Sequence, residues 1–131
     1  MVRLEAGIVG RDAARLERFY TEVMGFSVVT RIEFEEFGTV LRLRRDDAGL
    51  KLYFPADAAL DPRRDDDPWY RAGGFRYAAL LLEEPDAVDA LATHCVAAGG
   101  RVLVAPNEHR PGARMALVAD PEGNPWELIC G

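Results

Sequence analysis

Apolar and polar positions along the 131 residues follow two rhythms, and these rhythms occur in the same order twice. "RLEAGIVG" (3–10) reads as a strand, and Asp12 to Met24 reads as a helix in which Leu16, Phe19, Tyr20 and Val23 form one apolar stripe. Asp12 suits the N-cap of that helix and Gly25 its C-terminal stop. Three strand-like runs follow, "FSVVTRIEF" (26–34), "TVLRLR" (39–44) and "LKLYF" (50–54), with turns at Gly38 and at Asp46-Asp47-Ala48-Gly49. The second half repeats the order. "FRYAALLL" (75–82) is a strand, and Pro85 opens a helix to about Ala98 with Val88, Leu91 and Cys95 inward. "RVLVA" (101–105), "ARMALVA" (113–119) and "WELIC" (126–130) complete the set. The pattern predicts two βαβββ modules, residues 1–54 and 74–131, in one domain, joined by a Pro-, Asp- and Gly-rich linker over 55–73.

The stretch "DPEGNPWELI" (120–129) packs turn formers ahead of the last strand. Strand alternation puts Trp126, Leu128 and Cys130 on one face, and Glu127 and Ile129 on the other. A carboxylate at the centre of an apolar strand needs no explanation in open water. In an enclosed cavity it needs a partner.

Hydrophobic residues make up 49% and charged residues 29%, the balance of a globular protein. A net charge of −6, with both signs mixed along the chain, argues against nucleic acid or an anionic membrane as partner and leaves room for a cationic or neutral small ligand. Arg3 and Glu5 interrupt the first apolar stretch, so no secretory signal is read there, and no run approaches the ~20 apolar residues of a membrane span. Cys95 and Cys130 lack CxxC spacing and read as buried free thiols, which makes a cytoplasmic, reducing compartment the expectation.

Two stretches carry a resemblance to a known family. "GRDAARLERFYTEVMGF" (10–26) resembles the Asp-helix-Phe-Tyr-x-x-x-Leu-Gly-Phe signature of the vicinal oxygen chelate superfamily, with Met24 in place of the leucine. "DPEGNPWELI" is similar to that superfamily's Asp-Pro-x-Gly-Asn-x-x-Glu-Leu ending. Its members include glyoxalase I, bleomycin-resistance proteins and extradiol dioxygenases. The resemblance implies an α+β fold whose two curved sheets form a ligand-holding cup backed by helices, with Glu127 facing the cup.

It also implies four metal-holding positions, on the first and last strand of each module. Carried over, these are Glu5, Lys51, Tyr77 and Glu127, where relatives often have histidine at the first and third. Only the two carboxylates are ordinary ligands, since an ammonium has no lone pair to give. The histidines fall elsewhere, His94 in the second helix and His109 in the loop "NEHRPG". Neither a metal nor another cofactor is therefore expected. Lys51 is expected to supply Glu127 with the missing positive charge, helped by a hydrogen bond from Tyr77.

Plainer readings stand beside these. Glu5 equally suits a frayed strand start, Lys51 an edge-strand lysine, and Tyr77 half-buried packing. Tyr53 shares the Lys51 face, and Trp69 and Tyr70 offer flat surfaces for an aromatic ligand or simply pin the linker. Asp65-Asp66-Asp67 reads as a solvated run. Which of Arg42, Arg44 and Arg114 reach the cup is left open by the pattern.

Two functions follow. One is a homodimeric binding protein of the bleomycin-resistance kind, sequestering an antibiotic or metabolite. The other is a glyoxalase-like lyase, isomerase or dioxygenase with an altered or metal-independent site, in which Glu5 or Glu127 acts as base beside Lys51.

Overall fold

In a computed structural model that describes residues 1–56 and 75–131, the strand–helix–three-strand order is present in both halves. The chain divides into two compact units, Met1–Pro62 and Arg63–Gly131. The first holds β1 (Glu5–Val9), α1 (Ala13–Arg18), β2 (Ser27–Phe34), β3 (Gly38–Arg45) and β4 (Ala48–Pro55). The second holds β5 (Ala78–Leu81), α2 (Pro85–Ala97), β6 (Arg101–Arg110), β7 (Ala113–Ala119) and β8 (Pro125–Cys130). The sheets share one topology, β1-β4-β3-β2 and β5-β8-β7-β6, with first and last strands parallel and the other neighbours antiparallel. Of the expected linker, residues 57–73 lie outside the described residues, and with them Trp69, Tyr70 and Asp65-Asp66-Asp67. Among the described residues no helix is long and apolar enough to cross a membrane.

The Asp12 carboxylate caps α1, accepting from the Arg15 N–H at 3.0 Å. The helix then widens into a π turn over Phe19–Val23, in which the Met24 N–H donates to the Phe19 carbonyl five residues back. That widening corrects the expected stripe. Leu16, Phe19 and Tyr20 are buried as expected, but Met24 takes the inward place assigned to Val23. The stripe packs on Leu41, Leu43, Leu50, Leu52 and Phe54, all on one face of the first sheet. In the second unit Val88, Leu91, Ala92 and Cys95 of α2 are buried, as are Ala116, Val118, Trp126 and Leu128 of the sheet. Cys95 and Cys130 are both free and buried; burial pushes the Cys95 thiol up to about 11, so it stays protonated and donates to the Ala119 carbonyl at 3.2 Å.

Three boundaries differ from the sequence expectation. β4 begins at Ala48, so the β3–β4 turn is only Asp46 and Asp47, with Asp46 at a φ of 48°. β5 begins at Ala78, which leaves Phe75 and Tyr77 ahead of the strand. β6 runs to Arg110, which places His109 on a strand and moves the turn to Pro111-Gly112. The polar run stays extended because β6 is an edge strand with repeated register shifts, and such an edge tolerates Pro106 and unpaired polar positions. His94 is on α2, as expected, and is exposed there.

"DPEGNP" makes the expected reversal between β7 and β8. Asp120, only 2% exposed, accepts from the backbone N–H of Glu122 at 2.8 Å and of Asn124 at 3.0 Å, and from the Asn124 side-chain amide at 2.8 Å. The turn's charge is thus inside, ringed by donors. β8 leaves it with Trp126, Leu128 and Cys130 buried and Glu127 and Ile129 half-buried, the alternation expected of that strand.

Candidate functional site

Register fixes which residues share the helix-free face of the first sheet. Three rows cross it: Glu5, Gly49 and Arg44; then Gly7, Lys51, Arg42 and Thr30; then Val9, Tyr53, Val40 and Ile32. The ionic groups of the first two rows meet. Arg42 Nη2 donates to Glu5 Oε1 at 3.0 Å, and Lys51 Nζ stands 3.7 Å from Glu5 Oε2. Each carboxylate oxygen therefore faces a different cation.

Gly49 makes that geometry available. A methyl group at Gly49 would lie 2.6 Å from Glu5 Cγ and 3.0 Å from its carboxyl carbon, so only glycine lets the Glu5 side chain lie across β4 toward its partners. The hydrogen bond from Arg42, its charge and the charge of Lys51 outweigh partial burial and hold the Glu5 carboxyl below its ordinary 4.5. A lowered folded value means that the pair's contribution is present above the ordinary value and is lost as pH falls through the folded one. Since the cations are about half exposed, that contribution is small. Gly49→Ala is expected to push the carboxylate off its partners and return Glu5 toward 4.5, read by NMR titration of its side-chain carboxyl; an unchanged titration would contradict this reading.

Strand arginines divide by face. Arg42 belongs to the cluster, and Arg44 donates to the Asp46 carbonyl at 3.2 Å. Arg114 turns to the helix side, where it grips Asp89 of α2 with two hydrogen bonds and lowers the Asp89 carboxyl. Arg31 and Glu17 form the like tie between β2 and α1 at 2.8 Å. The Tyr53 ring lies on the helix-free face, but its hydroxyl donates to the Phe37 carbonyl at 2.7 Å and so fastens the β2–β3 turn.

In the second unit the same register recurs. Ala79 pairs with Glu127 as Gly7 pairs with Lys51, so Tyr77 stands where Glu5 stands and Glu127 where Lys51 stands. The counterpart of Arg42 is Leu117, opposite Glu127 on β7. Glu127 is half-buried between Ala79 and Leu117, and it makes no hydrogen bond or ion pair with a described residue. Tyr77 is 49% exposed. Of the residues singled out from sequence, Glu5, Lys51 and Tyr53 share one sheet face, Tyr77 and Glu127 occupy matching places in the other unit, and Trp69 lies outside the described residues. Among the described residues no three His, Cys, Asp or Glu side chains are grouped to hold a metal ion.

Two modules of one topology, each a four-stranded mixed sheet with a helix on one face, define an α+β protein of the paired βαβββ class. The family model of the Glyoxalase/Bleomycin resistance protein/Dioxygenase superfamily matches residues 4–128, and the chain belongs to that superfamily. No curated protein matches the chain. Among solved structures it is similar to SMU.1112c, at 25% identity and a TM-score of 0.75, with 98% of each chain covered. A glyoxalase-related enzyme from Fulvimarina pelagi is similar at 21% identity and a TM-score of 0.73, covering 100% of this chain and 89% of that one. A glyoxylase/bleomycin resistance protein/dioxygenase domain from Frankia sp. EAN1pec has a TM-score of 0.79 at 16% identity, with coverage of 100% and 92%. The last two likenesses speak for the fold alone.

Proposed function

We propose that this chain is a small-molecule-binding member of its superfamily that does without a divalent metal and holds an antibiotic or a metabolite without transforming it. One observation carries the reading: the carboxylate of the first module, Glu5, has an oxygen turned to each of two cations, Arg42 and Lys51. A divalent ion there would have to displace both, and the ammonium at the Lys51 position repels it. The donor set of this face does not fit the metal that the resemblance implies. The same cations lower the Glu5 carboxyl from its ordinary value, away from the raised carboxylate that general-base chemistry near neutral pH calls for.

The test is metal analysis of protein purified without chelators, joined to a thermal-shift screen of small organic molecules. The expected result is metal far below one equivalent and stabilisation by at least one ligand class, of about 2.7 kcal/mol at a hundredfold excess over Kd. Stoichiometric Fe, Mn, Ni or Zn would overturn the reading. Homodimerisation belongs to the same proposal, because β2 is an edge strand that exposes Val28, Val29, Ile32 and Phe34. Sedimentation is expected to give a dimer at micromolar concentration, and a monomer would count against it. A reducing, cytoplasmic setting suits the two free thiols.

A further inference from the structure

We infer that the helix-free face of the first sheet recognises a carboxylate on its ligand, through Lys51 and Arg42, and seats an apolar body on the row beside them. The inference rests on the ligand-binding reading and names the ligand's chemical class. Glu5, Arg42 and Lys51 leave a surplus of one positive charge, and Arg44 in the neighbouring row of the same face adds to it, although the whole chain carries −6. Local charge thus points the opposite way from the total, toward an anion attracted at short range.

Unused donors are there to meet it. Arg42 spends Nη2 on Glu5, while its Nε–H and Nη1–H bond no described residue. At 3.7 Å the Lys51–Glu5 contact is an ion pair longer than a good hydrogen bond, and the Lys51 side chain is 50% exposed. Beside Lys51 across the ladder is Gly7, where an added methyl would meet no described residue within 4 Å. Among the described residues that leaves room next to an ammonium and a guanidinium, groups suited to hold a carboxylate between a point charge and a planar fork.

The next row, two residues along each strand and so about 7 Å away, is Val9, Tyr53, Val40 and Ile32. Val9 is 55% exposed and half-buried Tyr53 lies beside it across the ladder, so apolar surface lies one row from the cations. A small aromatic carboxylate spans that step. The planar fork of Arg42 and the ammonium of Lys51 can take the two oxygens of a carboxylate between them, and carboxylate is the group named on that geometry. Glu5 is then a competitor for the same donors, and removing its charge strengthens anion binding.

The test titrates the full chain with benzoate, phenyl phosphate and neutral benzamide, following backbone amides by NMR. Benzoate is expected to shift the amides of Gly7 and Gly49, to bind more tightly than phenyl phosphate, and to weaken as salt is added. Benzamide is expected to bind several-fold more weakly than benzoate. Lys51→Met is expected to weaken benzoate by about two- to five-fold, the scale of an exposed ion pair, and Glu5→Gln to tighten it. Both side chains are substantially exposed or at a strand start, and an unchanged amide spectrum away from the face shows that the variants fold. Equal binding of benzamide and benzoate, weaker binding by Glu5→Gln, or shifts confined to other residues would overturn the inference. Tighter phenyl phosphate would replace carboxylate by phosphate as the group recognised. Bound metal at one equivalent defeats the metal-free reading separately, so the two failures are distinguishable.

Discussion

Asp120→Ala is expected to destabilise the protein by about 2–4 kcal/mol, because three donors lose one charged acceptor at a site that water scarcely reaches. The Glu122 and Asn124 amides and the Asn124 side chain all point at that carboxylate, and Asp120 is 2% exposed. The turn also sets the entry of β8, since the Asp120 N–H donates to the Asn124 carbonyl at 3.0 Å. Asp120→Asn keeps one acceptor oxygen, so it is expected to lose less than the alanine variant. Urea unfolding followed by circular dichroism measures both, and an alanine variant within 1 kcal/mol of the parent, on the scale of an ordinary exposed substitution, would show the network to be idle.

Leu52→Ala is expected to cost about 2–5 kcal/mol, the range for emptying a buried leucine site. Leu52 is fully buried on β4, an interior strand, with Ile8 of β1 and Leu41 of β3 beside it in register. Its neighbours are held by two ladders and by α1, so they have little freedom to close the cavity. Leu52→Met, close in volume, is expected to stay below about 1.5 kcal/mol. The same denaturation experiment separates these outcomes; equal losses in the two variants would mean that volume at this position does not matter.

How far the chain could be read in advance depended on the range of the interaction. Alternation and helical spacing are local, so the two helices and eight strands of the described residues, and the turn at Asp120, were legible. The π turn was not, because nothing in "FYTEV" distinguishes a widened turn from an ordinary one, and so Val23 was given the place that Met24 holds. β6 was cut short at Ala105 because proline and polar residues mimic a loop, when an irregular edge strand accommodates them. Arg42 was one of three strand arginines whose face the pattern left open, and it is the third member of the cluster. It needed only the two-residue turn at Asp46–Asp47, since Arg45 opposite Ala48 places Arg42 opposite Lys51. The hold of Glu5 across Gly49 had no local signal, because it joins strands far apart in sequence.

Both sheets are finished by pairing their first strand with their last, and this has a consequence for how the chain folds. Arg45 and Ala48 meet across a two-residue turn, so the β3–β4 hairpin is nearly free of loop-closure entropy and can form within microseconds. Glu5 must find Gly49, 44 positions away, and Ala78 must find Trp126, 48 positions away. Neither β1 nor β5 has a docking edge until β4 or β8 is in place, so each module's opening strand is among its last parts to become ordered. Such high contact order slows folding. It also makes the newly made β1, the strand that bears Glu5 and Gly7, a waiting segment, ordered only when the strand bearing Lys51 arrives beside it.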